Sequence, residues 1–298
     1  MRISVIGNVG LDVVVSHVDS LAPPGTEKLV ENATIRVGGS AGNTSMKLAA
    51  LGVEHELHAS LGDDATAAAV RVLLEDGGVD CSRLITTPGA PTAVTVATQS
   101  PRRDRSFLTA EGHLAFYDRA CVPDDALDAD FVLLTGYFTT PALHGDPTED
   151  MLRRVRAHGG RTCFDPGSDP EGWQPATVAT LHSLLPLVDV FLPNAQELSV
   201  LGGSDDPRTA ATALHERSGG RVVAKLGPEG CLVAGPGPVV ACRARPVPNP
   251  DTTGAGDAFN AGLLYGLVHR MPWPQAARTA TDVATDAVAR HRRAAERE

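Results

Sequence analysis

The sequence predicts an α/β fold: a mostly parallel central sheet covered by helices on both faces, with a small β-sheet lid standing off it. Three observations predict this. Short β-rich runs alternate with longer helical patterns along most of the chain. Several of those runs are apolar throughout, as buried parallel strands are. Two β-rich stretches, at about 12–36 and 91–118, break the alternation and suit a cover over a pocket.

Taken in order, RISVIG opens the chain as a buried strand. The stretch LDVVVSHVDSLAPPGTEKLVENATIRVGG holds strand-like pieces and no good helix. SAGNTSMKLAALG reads as a helix, with Met46, Leu48, Ala49 and Leu51 apolar and Gly52 stopping it. EHELHASLG is a strand, and DDATAAAVRVLLEDGG a helix with acids at its start and glycines at its end. PTAVTVATQSPRRDRSFLTA alternates around a polar turn. FVLLTG is a buried strand, PTEDMLRRVRAHGG a helix, and TCFD, VFLP and RVVAKLG are further strands. Helical patterns cover about 174–185, 194–201 and 207–218, and two helices close the chain, at 256–267 and about 274–293. Nothing separates independent domains, so residues 1–298 read as one unit.

The 298 residues, 42% of them hydrophobic, suffice for a sizeable core. A formal net charge of −10 argues against nucleic acid as a partner. The tail RHRRAAERE reads as a solvated helix end. Five scattered cysteines (81, 121, 163, 231, 242) without CxxC spacing read as reduced core residues. The N-terminus lacks the features of a signal peptide, and no apolar run is long enough to span a bilayer. The expectation is a cytoplasmic protein with no membrane partner.

Two stretches carry the chemistry. In DTTGAGDAFNAGLLYGL, Gly254, Ala255 and Gly256 precede an apolar helix whose small residues at 258, 262 and 266 allow close packing. A helix N-terminus with no side chains in the way is a natural anion site. Asp257, in the first turn, reads either as a general base or as an acid complementing the dipole, with Thr252 and Thr253 as caps. In RVGGSAGNTSMKLAALG, Gly38 and Gly39 would let a ligand approach the backbone and Asn43 would bond a sugar hydroxyl; the alternative is a plain strand-to-helix turn.

GGSAGN followed some two hundred residues later by DTTGAGD resembles the ribokinase-like (PfkB) family of carbohydrate kinases, and the resemblance covers nearly the whole chain. It implies a three-layer sandwich with a small β-sheet lid, and ATP-dependent phosphorylation of a hydroxymethyl group on a sugar or sugar-like molecule. It makes Asp257 the base and Gly254, Ala255 and Gly256 the anion hole. Asp12, Gly38, Gly39 and Asn43 match sugar-contacting positions. Asn194 and Glu197 in PNAQE match the N-x-x-E pattern that organises Mg2+ and phosphate, Glu197 through water. KLGPEG gives Lys225, Gly227 and Gly230 near the nucleotide. Asp251 and Thr253 match positions that bind a monovalent cation, such as K+, in some members. Lids of this family often pair between subunits, so a homodimer is expected.

The sequence departs from the family pattern in three places. Lys225 stands where many relatives carry Thr, and reads as a strand-end lysine reaching solvent or a phosphate. DPG at 165–167 replaces the usual D-x-N. The usual glycine-containing loop after the last helix is absent. His113, after the lid, is a further candidate for substrate contact. Arg102, Arg103 and Arg105 form a basic turn, and His55 and His58 read as surface or edge residues. GNVGLD offers too few glycines for a dinucleotide site, and neither a P-loop nor protein-kinase signatures occur. The rivals are a nucleoside kinase, a 6-phosphofructokinase-type enzyme and a non-catalytic sugar-binding regulator.

Overall fold

The computed structural model describes residues 1–15, 18–20, 22–98, 106–248 and 252–295. In chain order the first part comprises β1 (Ile3–Gly7), β2 (Gly10–Val15), β3 (Ala33–Gly38), α1 (Ser40–Ala50), β4 (Glu56–Leu61), α2 (Ala65–Asp76) and β5 (Leu84–Thr86). Then follow β6 (Val94–Thr98), β7 (Ser106–Ala110), β8 (Phe131–Thr135), α3 (Asp146–Ala157), β9 (Arg161–Asp165) and α4 (Pro175–Leu184). The rest is β10 (Val190–Phe191), α5 (Ala195–Gly202), α6 (Pro207–Ser218), β11 (Arg221–Lys225), β12 (Cys231–Ala234), β13 (Val240–Cys242), α7 (Ala255–Val268) and α8 (Trp273–Ala295). Short 3-10 turns fill several connections.

Nine strands form the large sheet in the order β13-β12-β11-β10-β9-β8-β1-β4-β5. All its pairings are parallel except β11–β12 and β12–β13. Buried strands alternate their side chains between two cores. Ile3, Val5, Leu133 and Val223 join one core with residues of α1, α2, α7 and α8. Ile6, Val132, Leu134 and Val222 join the other with residues of α3, α4, α5 and α6. This is the three-layer sandwich expected. The β12–β13 hairpin and β5 were not foreseen, because CLVA and VAC are too short to carry a periodic signal.

The lid is a separate four-stranded sheet, β3-β2-β6-β7, in which β2 and β6 run parallel and their partners antiparallel. Both β-rich stretches therefore meet in one sheet. The basic turn of Arg102, Arg103 and Arg105 lies outside the described residues.

The first glycine motif has a packing role. Gly39 has φ 82°, and a Cβ there would meet the backbone oxygen of Asn8 at 2.4 Å. That oxygen accepts from the N–H groups of Ala41 and Gly42, and Asn8 Oδ1 accepts from Ser40 N–H at 2.9 Å. Asn8 thus satisfies the start of α1, which Gly39 cannot cap. A Cβ at Gly38 would strike Asp12 Oδ1. What approaches these glycines is the chain's own loop and the Asp12 carboxylate.

His58 corrects the expectation of a surface or edge residue. It is buried, because β4 is paired on both sides, by β1 and β5. Its Nε2 lies 3.0 Å from Glu56 Oε2, and burial lowers its pKa. His55 is half-buried, with Nδ1 bonded to the carbonyl of Val53. Four of the five cysteines are buried and all are free.

Candidate active site

In open α/β sheets, ligands bind outside the carboxyl ends of the strands, where the strand order reverses. Here β1 sends the chain outward to β4, whereas β8 to β11 run the other way. Asp165 and Lys225 are the last residues of β9 and β11, and Asn194 follows β10. Above these ends lies a cavity of about 520 Å³, within the usual range for small-molecule sites. Asp165, Asn194, Glu197, Lys225, Gly256 and Asp257 all line it.

The first turn of α7 opens onto this cavity. Its N-cap is Gly254, left-handed at φ 70°, ψ 8°, and no side chain caps it. Ala255, Gly256 and Asp257 of this first turn line the cavity, where the first N–H groups of a helix have no intrahelical partners. Small residues do let α7 approach α8: Cβ atoms on Gly262 and Gly266 would fall 2.8 Å from the Cα atoms of Ala280 and Ala276.

Asp257 meets the first motif here. The Asn43 side chain hydrogen-bonds to its carboxylate, and Thr44 Oγ1 donates to its backbone oxygen at 3.5 Å. Burial pushes the Asp257 carboxyl from 3.8 up to about 7, and Asp165 repels its charge; Lys225 and Asn43 oppose the rise. A carboxyl placed only to complement a helix dipole would stay well ionised, so its surroundings suit a proton acceptor near neutral pH. Asp12, on β2, is pushed up to about 6 by burial against the pull of Arg36, and its charge acts on Asp257. Arg36 Nε lies 3.9 Å from Asp12 Oδ2. The lid thus contributes a carboxylate whose charge is felt at Asp257.

On the other side, Asn194 and Glu197 form a capping box at the start of α5. Glu197 Oε2 accepts from Asn194 N–H at 2.9 Å, and Oε1 accepts from Asn194 Nδ2. Burial raises Glu197 to about 7, with Asp165 adding to the effect. Lys225 does not reach out to solvent. Its Nζ donates to Asp165 Oδ2 at 2.7 Å, an ion pair that becomes available because Asp165 faces it across the end of β10. Burial alone would lower the pKa of Lys225, but Asp165 and Glu197 outweigh it and raise it. Gly227 and Gly230 also line the cavity.

Not every candidate lines the cavity: Asp12, Gly38, Gly39 and Asn43 stand outside its lining, and so does His113. His113 is fully buried and does not line the cavity. Gly112, at φ 52°, turns the chain inward, so that His113 N–H donates to Pro91 O and its Nδ1 accepts from Ala93 N–H at 3.0 Å. It ties the base of the lid together. Asp251 lies outside the described residues. Thr253 is half-buried just before α7.

Sequence reasoning missed the apolar end of the cavity. Pro246 and Val247, after β13, face Thr281, Ala284, Thr285 and Val288 of α8. The α8 residues fall at i, i+3, i+4 and i+7, a face legible in sequence, but its partner loop is not. It also missed Asp165 and Asn260 as partners: Asn260 Nδ2 donates to Asp165 Oδ2 at 2.5 Å.

The sequence model of the family described as pfkB family carbohydrate kinase matches residues 2–296. An uncharacterized sugar kinase of Archaeoglobus fulgidus is 30% identical over 75% of this chain and 86% of its own length. A nucleoside kinase of Methanothermobacter thermautotrophicus is 25% identical over 94% of this chain and 87% of its own. Among solved structures, an E. coli protein described as a ribokinase II, in complex with ATP and Mg2+, superimposes with a TM-score of 0.84 at 21% identity. That match covers 97% of this chain and 92% of the other.

Proposed function

The chain belongs to the PfkB family of carbohydrate kinases, which are phosphotransferases, and from that membership we propose that it transfers the γ-phosphoryl group of ATP to a hydroxymethyl group of a sugar or sugar-like molecule, with Asp257 as base. The observation that carries this reading is the meeting of Asn43 and Asp257 at the glycine-led start of α7, beside a carboxylate from the lid.

Phosphoryl transfer needs positioning, charge stabilisation and removal of the acceptor proton. Asp12 and Asn43 hold acceptor hydroxyls, and Asp257 takes the proton of the attacking one. The N–H groups behind Gly254, Ala255 and Gly256 receive charge on the transferred group. Lys225 meets the phosphates from the strand side, with Gly227 leaving the backbone open beside it, while Gly230 packs against the Cys242 carbonyl. The nucleotide base enters the apolar slot between Pro246–Val247 and α8. The lid excludes water, which would otherwise compete as acceptor.

Magnesium fits the residues present. The carboxyls of Asp165, Glu197 and Asp257 outnumber the cations Lys225 and Arg245 in the cavity's lining, so a triphosphate gains from a counter-ion there. Among the described residues no cluster of three metal-binding side chains exists, which suits an ion held mainly by phosphate oxygens and water. Glu197, oriented by its capping box, would hold it through water. The ion supplies neutralisation of phosphate charge. A monovalent cation at Asp251 and Thr253 remains part of the proposal.

A nucleoside acceptor is the second reading, favoured by the Methanothermobacter relative. We also propose a homodimer through the lid, supported by the exposed apolar residues Ile35, Phe107 and Leu108 on its two edge strands. No helix among the described residues is long and apolar enough to cross a membrane, and a cytoplasmic setting is part of the proposal.

The test is product formation from ATP and Mg2+ across sugars and nucleosides. Acceptor-dependent phosphorylation supports the reading and names the acceptor. Tight acceptor binding with no phosphorylated product would instead favour a sugar-binding regulator.

A further inference from the structure

Asn260 lies one turn beyond Asp257 on α7 and is fully buried between Phe259 and Ala261. An apolar side chain would need no hydrogen bond there, whereas a buried amide must be compensated by hydrogen bonds. Asn260 is only half compensated. Its Nδ2 donates to Asp165 Oδ2 at 2.5 Å, while its Oδ1 has no hydrogen-bond partner among the described residues. A flipped amide would set Oδ1 against the carboxylate, so the orientation is fixed by repulsion as well as by the bond.

The same Asp165 oxygen accepts from Lys225 Nζ, and the other accepts from Gly167 N–H at 3.3 Å. Asp165 is therefore held by donors from three elements: the loop after its own strand, β11 and α7. Lys225 needs such an anchor, because its four-carbon stem has many rotamers. Anchored, its nitrogen lies 3.7 Å from where a Cβ on Gly256 would stand, against the helix start. Asp165 takes one of its three N–H groups, which leaves donors for a phosphate.

We infer that Asn260 is a positioning residue for phosphoryl transfer: its amide fixes the Asp165 carboxylate, which in turn holds the Lys225 ammonium at the first turn of α7. This rests on the function proposed above. Asn260 touches neither substrate and acts through Lys225.

The experiment is a double-mutant cycle of Asn260→Leu and Lys225→Met, reading kcat, acceptor KM and affinity for a non-hydrolysable ATP analogue with Mg2+. Asn260→Leu should lower kcat by about 10- to 100-fold, the scale of a roughly 1 Å misplacement, with acceptor KM changed less than about twofold. In the Lys225→Met background it should change kcat and analogue affinity by less than about twofold, because the residue it positions is gone. Losses that multiply independently would overturn the inference, as would a fall in melting temperature alone. Asn260→Ala, which leaves room for water, gives the same readings if Asn260→Leu does not fold. If wild-type protein phosphorylates no acceptor, the proposed function fails. The analogue-affinity cycle still decides the clamp: coupling between the two sites supports it and additivity rejects it.

Discussion

Replacing Asp257 by Asn should stabilise the protein at alkaline pH while removing its proposed base. The carboxyl has a folded-state pKa of about 7 against 3.8 when unperturbed, through burial and the repulsion of Asp165. A raised carboxyl pKa means that the folded state resists ionisation, so the group destabilises the fold once the unfolded chain ionises. The cost is absent below about pH 3.8, grows between there and about 7, and is constant above. At about 1.4 kcal/mol per pH unit it reaches about 4 kcal/mol at pH 8 and about 1.6 kcal/mol at pH 5. Asn keeps the shape and cannot ionise. The variant's gain over wild type should therefore exceed its gain at pH 5 by roughly 2–3 kcal/mol at pH 8. Denaturant unfolding of both proteins without ligands measures this, since other titrating groups largely cancel in the difference. A variant no more stable at pH 8 than at pH 5, relative to wild type, would refute the claim that the fold holds Asp257 at a cost to stability.

Other outcomes follow from the same site. The proposed base must be ionised, so kcat should fall as pH drops through about 7, and Lys225→Met should move that limb to higher pH by removing a cation that lowers the Asp257 pKa; an unmoved limb in a kcat–pH profile would assign it to another group. Asn43→Ala should raise acceptor KM and shift the limb the same way, since its bond also lowers the pKa of Asp257. Gly266→Leu should loosen α7 from α8, because a Cβ there would lie 2.7 Å from Ala276 Cβ. Overpacking of this kind costs about 1–3 kcal/mol, measurable by chemical denaturation, and an unchanged midpoint would contradict the close packing.

The sequence made the sandwich legible because its parallel strands are buried on both faces and its helices carry full apolar periods. It made the lid legible because alternating stretches interrupted the pattern. What it hid depends on distance in space. Asp165 and Lys225 lie sixty residues apart, and only the order β9-β10-β11 brings their side chains together. Of the two readings of Lys225, solvent or a phosphate, the first gives way because the lysine is half of a buried ion pair. His58 looked like an edge residue because short β5, which covers β4, gave no signal. His113 followed the lid in sequence, but one left-handed glycine turned it into the interior. The glycines of the first motif were read as room for a ligand or as a plain turn, and the packing of Asn8 and Asp12 against them could not be read from the sequence. The apolar slot needed a loop and a helix nearly forty residues apart to meet.

The central claim is that Asp257 takes the acceptor proton, and product formation by Asp257→Asn at saturating ATP, Mg2+ and acceptor tests it most directly. With binding of both substrates verified in the variant, turnover should fall by about 10²–10⁴-fold. Turnover within about threefold of wild type, with the same substrates bound, would contradict a base at Asp257.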